Sequence, residues 1–305
     1  MLRRRKFLSV LMLGMLSLLL LVSVSVPLTF TTRAFVPFTL NKTMEQLEQP
    51  QQISKWFLPA TDGIPQTEHM VSVVDAMPGY LTFSLVYDGT KKQFPVVVSR
   101  DPSNSKNCIV SLPVVNTLWK EFIDPDPHDD IMGNSIRNLE RFTNSTRLYY
   151  GYPIARTTIS DSSSLYITTS TDTTKSSIQA GILLDSLIQY AGLKKIRYFG
   201  KRILYSRHYN TDSVQVFASI LVNSTAEPKP SAGIIKKPVT AGKDMLVAEY
   251  SGPYRNVPAV YKALEQYKKD YSLVGASVPY EEYHSPGYGF QPDDSVQLKV
   301  CFPVF

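Results

Sequence analysis

Residues 209–222, YNTDSVQVFASILV, return in modified form at residues 294–304, DSVQLKVCFPV. The two copies align at an offset of 82 residues, which places Val214 on Val296. Every second residue is apolar in both copies, the pattern of a strand with one face in a core. The repetition predicts a duplicated fold in the second half of the chain. The apolar residues are Val214, Val216, Ala218, Ile220 and Val222, and Val296, Leu298, Val300, Phe302 and Val304.

A helix is predicted ahead of each repeated strand, because apolar residues step by three and four positions before Gly192 and again before Gly275. Residues 184–190 align with residues 261–267 within these helices. The apolar residues are Ile178, Ile182, Leu183, Leu187 and Ile188 in the first helix, and Val257, Val260, Tyr261, Leu264 and Tyr267 in the second.

Two more strands complete each repeat. One precedes each helix, at Leu165–Ser170 and Met245–Tyr250, and one follows it, at Arg202–His208 and Tyr280–His284. Each repeat is therefore expected to be a βαββ unit. Paired into one sheet, the two units would leave both helices on one face and a groove at the pseudo-twofold junction, where ligands tend to bind.

The second repeat also carries a series of short motifs. Gly252-Pro253-Tyr254 is followed by a helix, an E-x-Y strand, a proline and a closing strand. This order resembles the GyrI-like small-molecule-binding domain, also called the AraC effector-binding domain, over about residues 150–305. The resemblance implies that the chain binds a small molecule and that the acidic residue of the motif lines the pocket. The motif residues are Tyr261, Leu264, Glu281, Tyr283, Pro286 and Val300–Val304, with Ser285 where the family usually has Asp.

Residues 27–145 predict a strand, short helices, an antiparallel series of strands and a late helix. An Asp88-Gly89 pair marks one hairpin turn. The strands are expected at Thr29–Phe38, Val71–Val74, Tyr80–Tyr87, Phe94–Ser99 and Cys108–Val115, and the helical segments at Leu40–Leu47, Ile53–Pro59 and Ser135–Phe142.

This order, with Lys55-Trp56-x-x-Pro59 and Asn138-Leu139, resembles the helix-grip SRPBCC domain (START-like, polyketide-cyclase-like) of membrane-anchored proteins that join it to a GyrI-like domain. The segment is short for that fold, so part of its carboxy-terminal helix is expected to be missing and its cavity to be shallow. Trp56 and Trp119 are expected to be core residues.

The amino terminus predicts a membrane anchor. Four cations, Arg3–Lys6, precede 20 uncharged residues at 7–26, long enough for a helix that crosses a bilayer. A cleaved signal peptide is the alternative, but the stretch is long and lacks a good small-residue cleavage site. The charge asymmetry predicts a cytoplasmic amino terminus and an exported remainder, on the periplasmic side of a bacterial inner membrane.

Composition excludes several classes of protein. With 305 residues, 43% hydrophobic and 19% charged, the chain is expected to fold into about two domains. Outside the four amino-terminal cations, the chain has 28 Lys and Arg and 26 Asp and Glu, so its charges nearly balance. The sequence has no basic stripe and no helix-turn-helix, so we expect no nucleic-acid partner. The two cysteines, Cys108 and Cys301, are expected to be buried thiols.

The expected fold class is α+β with an amino-terminal transmembrane helix, a degenerate helix-grip domain and a GyrI-like domain of two βαββ repeats. The expected segments are a basic segment at 1–6, the anchor at 7–26, the SRPBCC-like domain at 27–145 and the GyrI-like domain at 146–305. Within the last, the repeats are expected at about 150–225 and 231–305.

Tyrosine is concentrated in the second half, where 16 of the 18 tyrosines lie at or after Tyr149. Flat side chains with a polar tip suit a pocket for planar or cationic ligands, although tyrosines are also common at sheet edges. Glu281 and Tyr283 are two apart on one strand and share a face, whereas Glu282 should point away. The expected ligand-binding residues are Glu281, Tyr283, Tyr254, Tyr166 and Tyr205, with Tyr205 as the first-repeat counterpart of Tyr283.

Three functions stay open from the sequence. The first is binding of a small hydrophobic, aromatic or cationic molecule; the second is hydrolysis of an electrophilic small molecule, with Glu281 as acid, base or water-orienting group; the third is a partner-binding or structural protein whose pockets have closed. No cofactor or metal is expected: Asp124–Asp130 is interpreted as an acidic surface loop, and His69, His208 and His284 lack ligand spacing.

Overall fold

The chain forms two compact units, Met1–Ser145 and Thr146–Phe305, and each has its own antiparallel sheet. The structure is a computed structural model that describes residues 12, 14, 15, 17, 21–57, 71–158, 162–223, 233–239, 244–283 and 292–305. Both units are α+β, as expected.

The sheet of the first unit has five strands in the order β1-β5-β4-β3-β2. The last long helix packs on β1. Within the described residues, each predicted strand and helix of this unit has a counterpart, and most are longer than predicted; Leu58 and Pro59 of the predicted segment Ile53–Pro59 lie outside the described residues. In chain order the elements are β1 (Pro27–Val36), α1 (Leu40–Glu48), α2 (Pro50–Trp56), β2 (Val71–Met77), β3 (Tyr80–Tyr87), β4 (Thr90–Asp101), β5 (Asn104–Thr117), α3 (Leu118–Phe122) and α4 (Pro127–Asn144).

The turn between β3 and β4 is the predicted Asp88-Gly89 turn. Both residues have positive φ, 47° and 70°, the geometry of the two-residue turns that match strand twist.

The two tryptophans of the first unit differ in burial. Trp56 is 0% exposed, and its indole N–H donates to the Gln46 carbonyl at 3.1 Å. Trp119 is 39% exposed, so its expected place in the core is wrong. It lies on the five-residue helix α3, which buries none of its residues.

The acidic stretch Asp124–Asp130 does not form a loop throughout, because helix α4 begins inside it at Pro127. Asp126 caps this helix by accepting from the His128 backbone N–H, and Lys92 bonds to both Asp126 and Asp129. Burial opposes ionisation of Asp126, but the Lys92 ammonium and the bonds from His128 outweigh it and lower its pKa to about 2. These interactions fix the start of an 18-residue helix, longer than expected.

The predicted membrane anchor at 7–26 is described only at residues 12, 14, 15, 17 and 21–26. Within the described residues, no helix combines the length and the apolar character needed to cross a bilayer. This finding contradicts the transmembrane helix in the expected fold class. The cellular compartment stays a prediction.

The second unit is an eight-stranded antiparallel sheet with two long helices. In chain order its elements are α5 (Thr146–Tyr150), β6 (Ile154–Thr158), β7 (Ser162–Asp172), α6 (Ser176–Leu193), β8 (Tyr198–His208), β9 (Ser213–Val222), β10 (Ile235–Val239), β11 (Asp244–Pro253), α7 (Val257–Asp270), β12 (Tyr280–Tyr283) and β13 (Ser295–Val304). The predicted βαββ order is therefore present twice, as β7-α6-β8-β9 and β11-α7-β12-β13.

The strand order β10-β7-β9-β8-β12-β13-β11-β6 is symmetric about the junction of β8 and β12. Each half reads the same outwards from that junction. The outermost strands are exchanged: β6 precedes the first repeat but pairs with β11 of the second, and β10 precedes the second but pairs with β7 of the first. These five-residue strands were not predicted, because neither carries an alternating apolar pattern.

One face of this sheet packs against α6 and α7 through the repeated strands. Val214, Ala218, Val300 and Val304 are each 0% exposed, so the predicted apolar face is confirmed. On α7, Val257, Val260 and Leu264 are buried as predicted, whereas Tyr261 and Tyr267 are half-buried. On α6, however, Ile178 and Ile182 are 64% and 52% exposed. This hydrophobic helix has apolar residues on several faces, so spacing alone did not identify the buried one. The residues of α6 that are buried are Ala180, Gly181, Leu183, Leu184, Leu187 and Ala191.

Replacing Leu184 by Ala should destabilise the second unit by about 2–5 kcal/mol, because it removes a fully buried side chain. The matched Ile182→Ala change, on the exposed face of the same helix, should cost at most about 0.5 kcal/mol. Urea unfolding followed by tyrosine near-ultraviolet circular dichroism measures both, since the two tryptophans lie in the other unit. Equal losses for the two variants would contradict the assigned helix face.

Candidate functional site

The junction of the two repeats is the pairing of β12 with β8. In this pair Glu281 lies directly opposite Leu204. Leu204 pairs with Ala218 in the first repeat, and Glu281 pairs with Val300 in the second, at the same offset of 82 residues. Glu281 and Leu204 are therefore equivalent positions that meet at the pseudo-twofold axis, and only one of them carries a charge.

The carboxylate of Glu281 accepts hydrogen bonds from three tyrosine hydroxyls. Tyr254 Oη lies 3.2 Å from Oε2 and 3.5 Å from Oε1, and Tyr261 Oη lies 3.4 Å from Oε1. Tyr283 also donates to Oε2. Four side chains from strand β12, helix α7 and the turn before that helix form this cluster, which we call the tyrosine cage.

Burial raises the pKa of Glu281 above its ordinary value, although the three hydroxyl donors act in the opposite direction. The tyrosines respond to the same environment. Burial first, and then the nearby Glu281 charge, raise the pKa of Tyr254, Tyr261 and Tyr283. All three therefore remain protonated hydroxyl donors at neutral pH.

The Gly252-Pro253-Tyr254 sequence positions Tyr254. Gly252 has a φ of 152°, and a Cβ there would lie 2.7 Å from the Tyr250 hydroxyl. That hydroxyl donates to the Pro253 carbonyl at 2.7 Å. The Tyr254 backbone N–H donates to the Asp294 carbonyl at 2.9 Å, which ties the turn to the start of the closing strand. Glycine is therefore required for the turn that aims Tyr254 at Glu281.

A cavity of about 410 Å³ adjoins the tyrosine cage on the helix side of the sheet. Its size lies within the usual range for small-molecule sites. Glu281 is the one acidic residue among the lining residues that the structure describes. The lining consists of Ser176, Ser177, Ala180, Leu204, Tyr205, Ser206, Val216, Val278, Pro279 and the cage residues Tyr254, Tyr261, Glu281 and Tyr283.

The cavity beside the cage is lined by four of the five predicted site residues, Glu281, Tyr283, Tyr254 and Tyr205. Tyr205 also lines a second cavity on the side of the sheet opposite the helices, where it lies near Tyr166. Tyr205 pairs with Phe217, which is equivalent to Lys299, the partner of Glu282. Tyr205 is therefore the counterpart of Glu282 rather than of Tyr283. The sequence offset between equivalent residues of β8 and β12 is one residue shorter than the predicted alignment assumed.

Tyr261 belongs to the cage but was not predicted as a site residue. The sequence placed it in the apolar stripe of α7. Its spacing of seven residues from Tyr254, two helical turns, was the available signal that both could point the same way. Ligand binding by all these residues stays a prediction.

The structure offers no support for a metal site in the described residues, where no group of three or more His, Cys, Asp or Glu is arranged to hold an ion. His208 is exposed at the end of β8, and His69 and His284 lie outside the described residues.

No protein-family model matches the chain, and no curated protein matches it either. Among solved structures, the EcmrR C-terminal domain is 20% identical, with a TM-score of 0.40, over 50% of this chain and 98% of that one. EcmrR in a complex with DNA is 16% identical, with a TM-score of 0.40, over 61% of this chain and 75% of that one. A hydrolase from Listeria innocua is 12% identical, with a TM-score of 0.38, over 50% of this chain and 91% of that one. At TM-scores of 0.40 or less, these similarities are compatible with the GyrI-like resemblance but carry no argument, and the SRPBCC-like domain stays a prediction.

Replacing Glu281 by Gln should stabilise the second unit more at pH 8 than at pH 4. The folded-state pKa of Glu281 is raised, so the stability that the protonated carboxyl contributes is fully present below the unfolded pKa and is lost as pH rises through the folded pKa. Glutamine does not titrate and escapes this loss. Thermal unfolding across this pH range measures the difference in Tm between variant and parent. Glu265→Gln, at a side chain 42% exposed, is the control, and a Glu281→Gln difference that stays constant with pH would contradict the prediction.

Replacing Tyr283 by Phe should destabilise the second unit by about 1–3 kcal/mol at pH 7, because the half-buried Glu281 carboxylate loses a hydroxyl donor. Tyr280→Phe, on the same strand but the opposite face, removes a hydroxyl whose acceptor is the Met245 sulfur and should cost less. Urea unfolding compares the two variants. A larger loss for Tyr280→Phe would show that the cage does not stabilise the carboxylate.

Proposed function

We propose that residues 146–305 bind a small molecule with a cationic group in the cavity beside the tyrosine cage. The observation that carries the proposal is the half-buried Glu281 carboxylate, held by three tyrosine hydroxyls next to a cavity of about 410 Å³. This carboxylate has no cationic partner among its described contacts, and a ligand cation would complete the ion pair.

Desolvation explains the preference for a cation. Removing a carboxylate from water disfavours its charged form unless an opposite charge or hydrogen donors compensate. The tyrosines supply hydrogen bonds but no charge. A ligand cation would supply the charge, and the faces of the tyrosine rings would add cation–π attraction.

The same hydrogen bonds favour binding over hydrolysis. A carboxylate offers about four acceptor positions, and the three hydroxyls already occupy at least three of them. Little acceptor capacity is left to hold and deprotonate a water molecule. A purely structural role would need neither the cavity nor the buried charge.

N-methylquinolinium is the probe for this proposal, with the neutral, similarly shaped 1-methylnaphthalene as its partner. Glu281→Gln should weaken binding of the cation about tenfold or more and leave binding of the neutral compound within about twofold. Affinity for the cation should also rise from pH 5 to pH 8, because the raised pKa of Glu281 means that a proton must leave before the charge pair forms. Isothermal titration calorimetry measures all three results.

Glu282→Gln is the matched control. It removes the same charge from the next residue of the same strand, on the opposite face of the sheet. It should leave the affinity for N-methylquinolinium within about twofold. Equal losses for the two variants, or a cation affinity that is independent of Glu281 and of pH, would refute the proposal.

A further inference from the structure

A second and larger cavity, of about 870 Å³, lies on the face of the sheet that is turned away from α6 and α7. Side chains alternate along β12, so Glu281 points to the tyrosine cage and Glu282 to this second cavity. The same alternation along β9 places Phe217 and Ser219 here and their buried neighbours Val216 and Ala218 towards the helices. The sheet lies between the two cavities, and Tyr205 and Val278 border both of them.

Aromatic rings form one wall of this second cavity. Tyr205 and Phe217 face each other across the β8–β9 pair and stack at 4.0 Å with an interplanar angle of 8°. Tyr166 lies on the neighbouring strand, opposite Ser219. The small Ser219 side chain leaves open space between Tyr166 and Ile203, which flank it on the two adjacent strands. The result is a flat aromatic surface with a gap beside it.

Charge distinguishes this cavity from the tyrosine cage. Its lining, among the residues that the structure describes, has three lysines and two glutamates. Lys201 lies 3.5 Å from Glu282, and Lys299 lies 3.1 Å from Glu249, so both carboxylates have a lysine partner. The remaining cation is Lys237, which is exposed and has its ammonium 4.4 Å from the centre of the Tyr166 ring. The described lining, with three lysines and two glutamates, therefore has one excess positive charge, which lies beside the aromatic rings.

We propose that this cavity binds a planar aromatic molecule with one acidic group, such as an aromatic carboxylate or sulfonate. The rings of the ligand lie against Tyr205, Phe217 and Tyr166, and its acidic group pairs with Lys237. The cavity volume lies in the range of small-molecule sites. This cavity is proposed to prefer an anion, whereas the Glu281 cavity is proposed to prefer a cation. Ligands of opposite charge therefore distinguish the two sites.

Two fluorescent probes that share one aromatic frame test this inference on the full chain. 1-Anilinonaphthalene-8-sulfonate carries a sulfonate, and N-phenyl-1-naphthylamine lacks it. Lys237→Gln should weaken binding of the sulfonate at least fivefold and leave binding of the neutral amine within about twofold. Phe217→Leu keeps the apolar bulk but removes the ring stack, and it should weaken both probes.

Ser219→Trp fills the gap beside the aromatic surface and should abolish binding of both probes, with far-ultraviolet circular dichroism as the check on folding. Glu281→Gln should leave both affinities unchanged, which separates this site from the tyrosine cage. Sulfonate binding that is insensitive to Lys237→Gln and Phe217→Leu, or that weakens with Glu281→Gln, would overturn the inference. That outcome leaves the proposal for the Glu281 cavity unaffected, since the latter is tested with a cation.

Discussion

The pairing of β12 with β8 is the constraint on which the second unit depends. It joins two equivalent halves, and it places Glu281 opposite its equivalent, Leu204, at the centre of the sheet. A leucine at such a position needs only apolar neighbours, whereas a buried carboxylate must find hydrogen donors or give up its charge. Tyr254, Tyr261 and Tyr283 supply the donors. The two repeats differ at this pair, where one has a carboxylate and the other a leucine, and this difference gives the site its acidic group.

Alternation along the four residues of β12 gives the sheet two different faces. Glu281 contacts hydroxyls and no described cation, whereas Glu282, one residue later, lies 3.5 Å from the Lys201 ammonium. The cavity on the helix side therefore has an uncompensated negative charge, and the opposite cavity has its carboxylates paired. Glu281 and Glu282 are adjacent residues of the same type, but they have different surroundings because successive side chains of a strand point to opposite faces of the sheet.

Several predictions failed for one shared reason. Tyr205 was aligned with Tyr283, Trp119 was placed in a core, and Ile178 and Ile182 were assigned to the buried side of α6. Each is an apolar or aromatic residue for which local spacing allows more than one partner. Strand register, the five-residue length of α3 and the presence of apolar residues on several faces of α6 decided these cases. The exchanged strands β6 and β10 escaped prediction because their pairing partners are remote in the chain.

The sequence by itself determined the duplicated βαββ order, the apolar face of β9 and β13, the Asp88-Gly89 hairpin and the shared face of Glu281 and Tyr283. All of these follow from local periodicity and turn chemistry, which a short stretch of chain specifies. The tertiary structure alone decided that Tyr261 and Tyr254 reach the same carboxylate, that Leu204 is the uncharged equivalent of Glu281, and that Tyr166 lines another cavity, which Tyr205 also borders. These features depend on register between strands far apart in sequence, which no local pattern encodes.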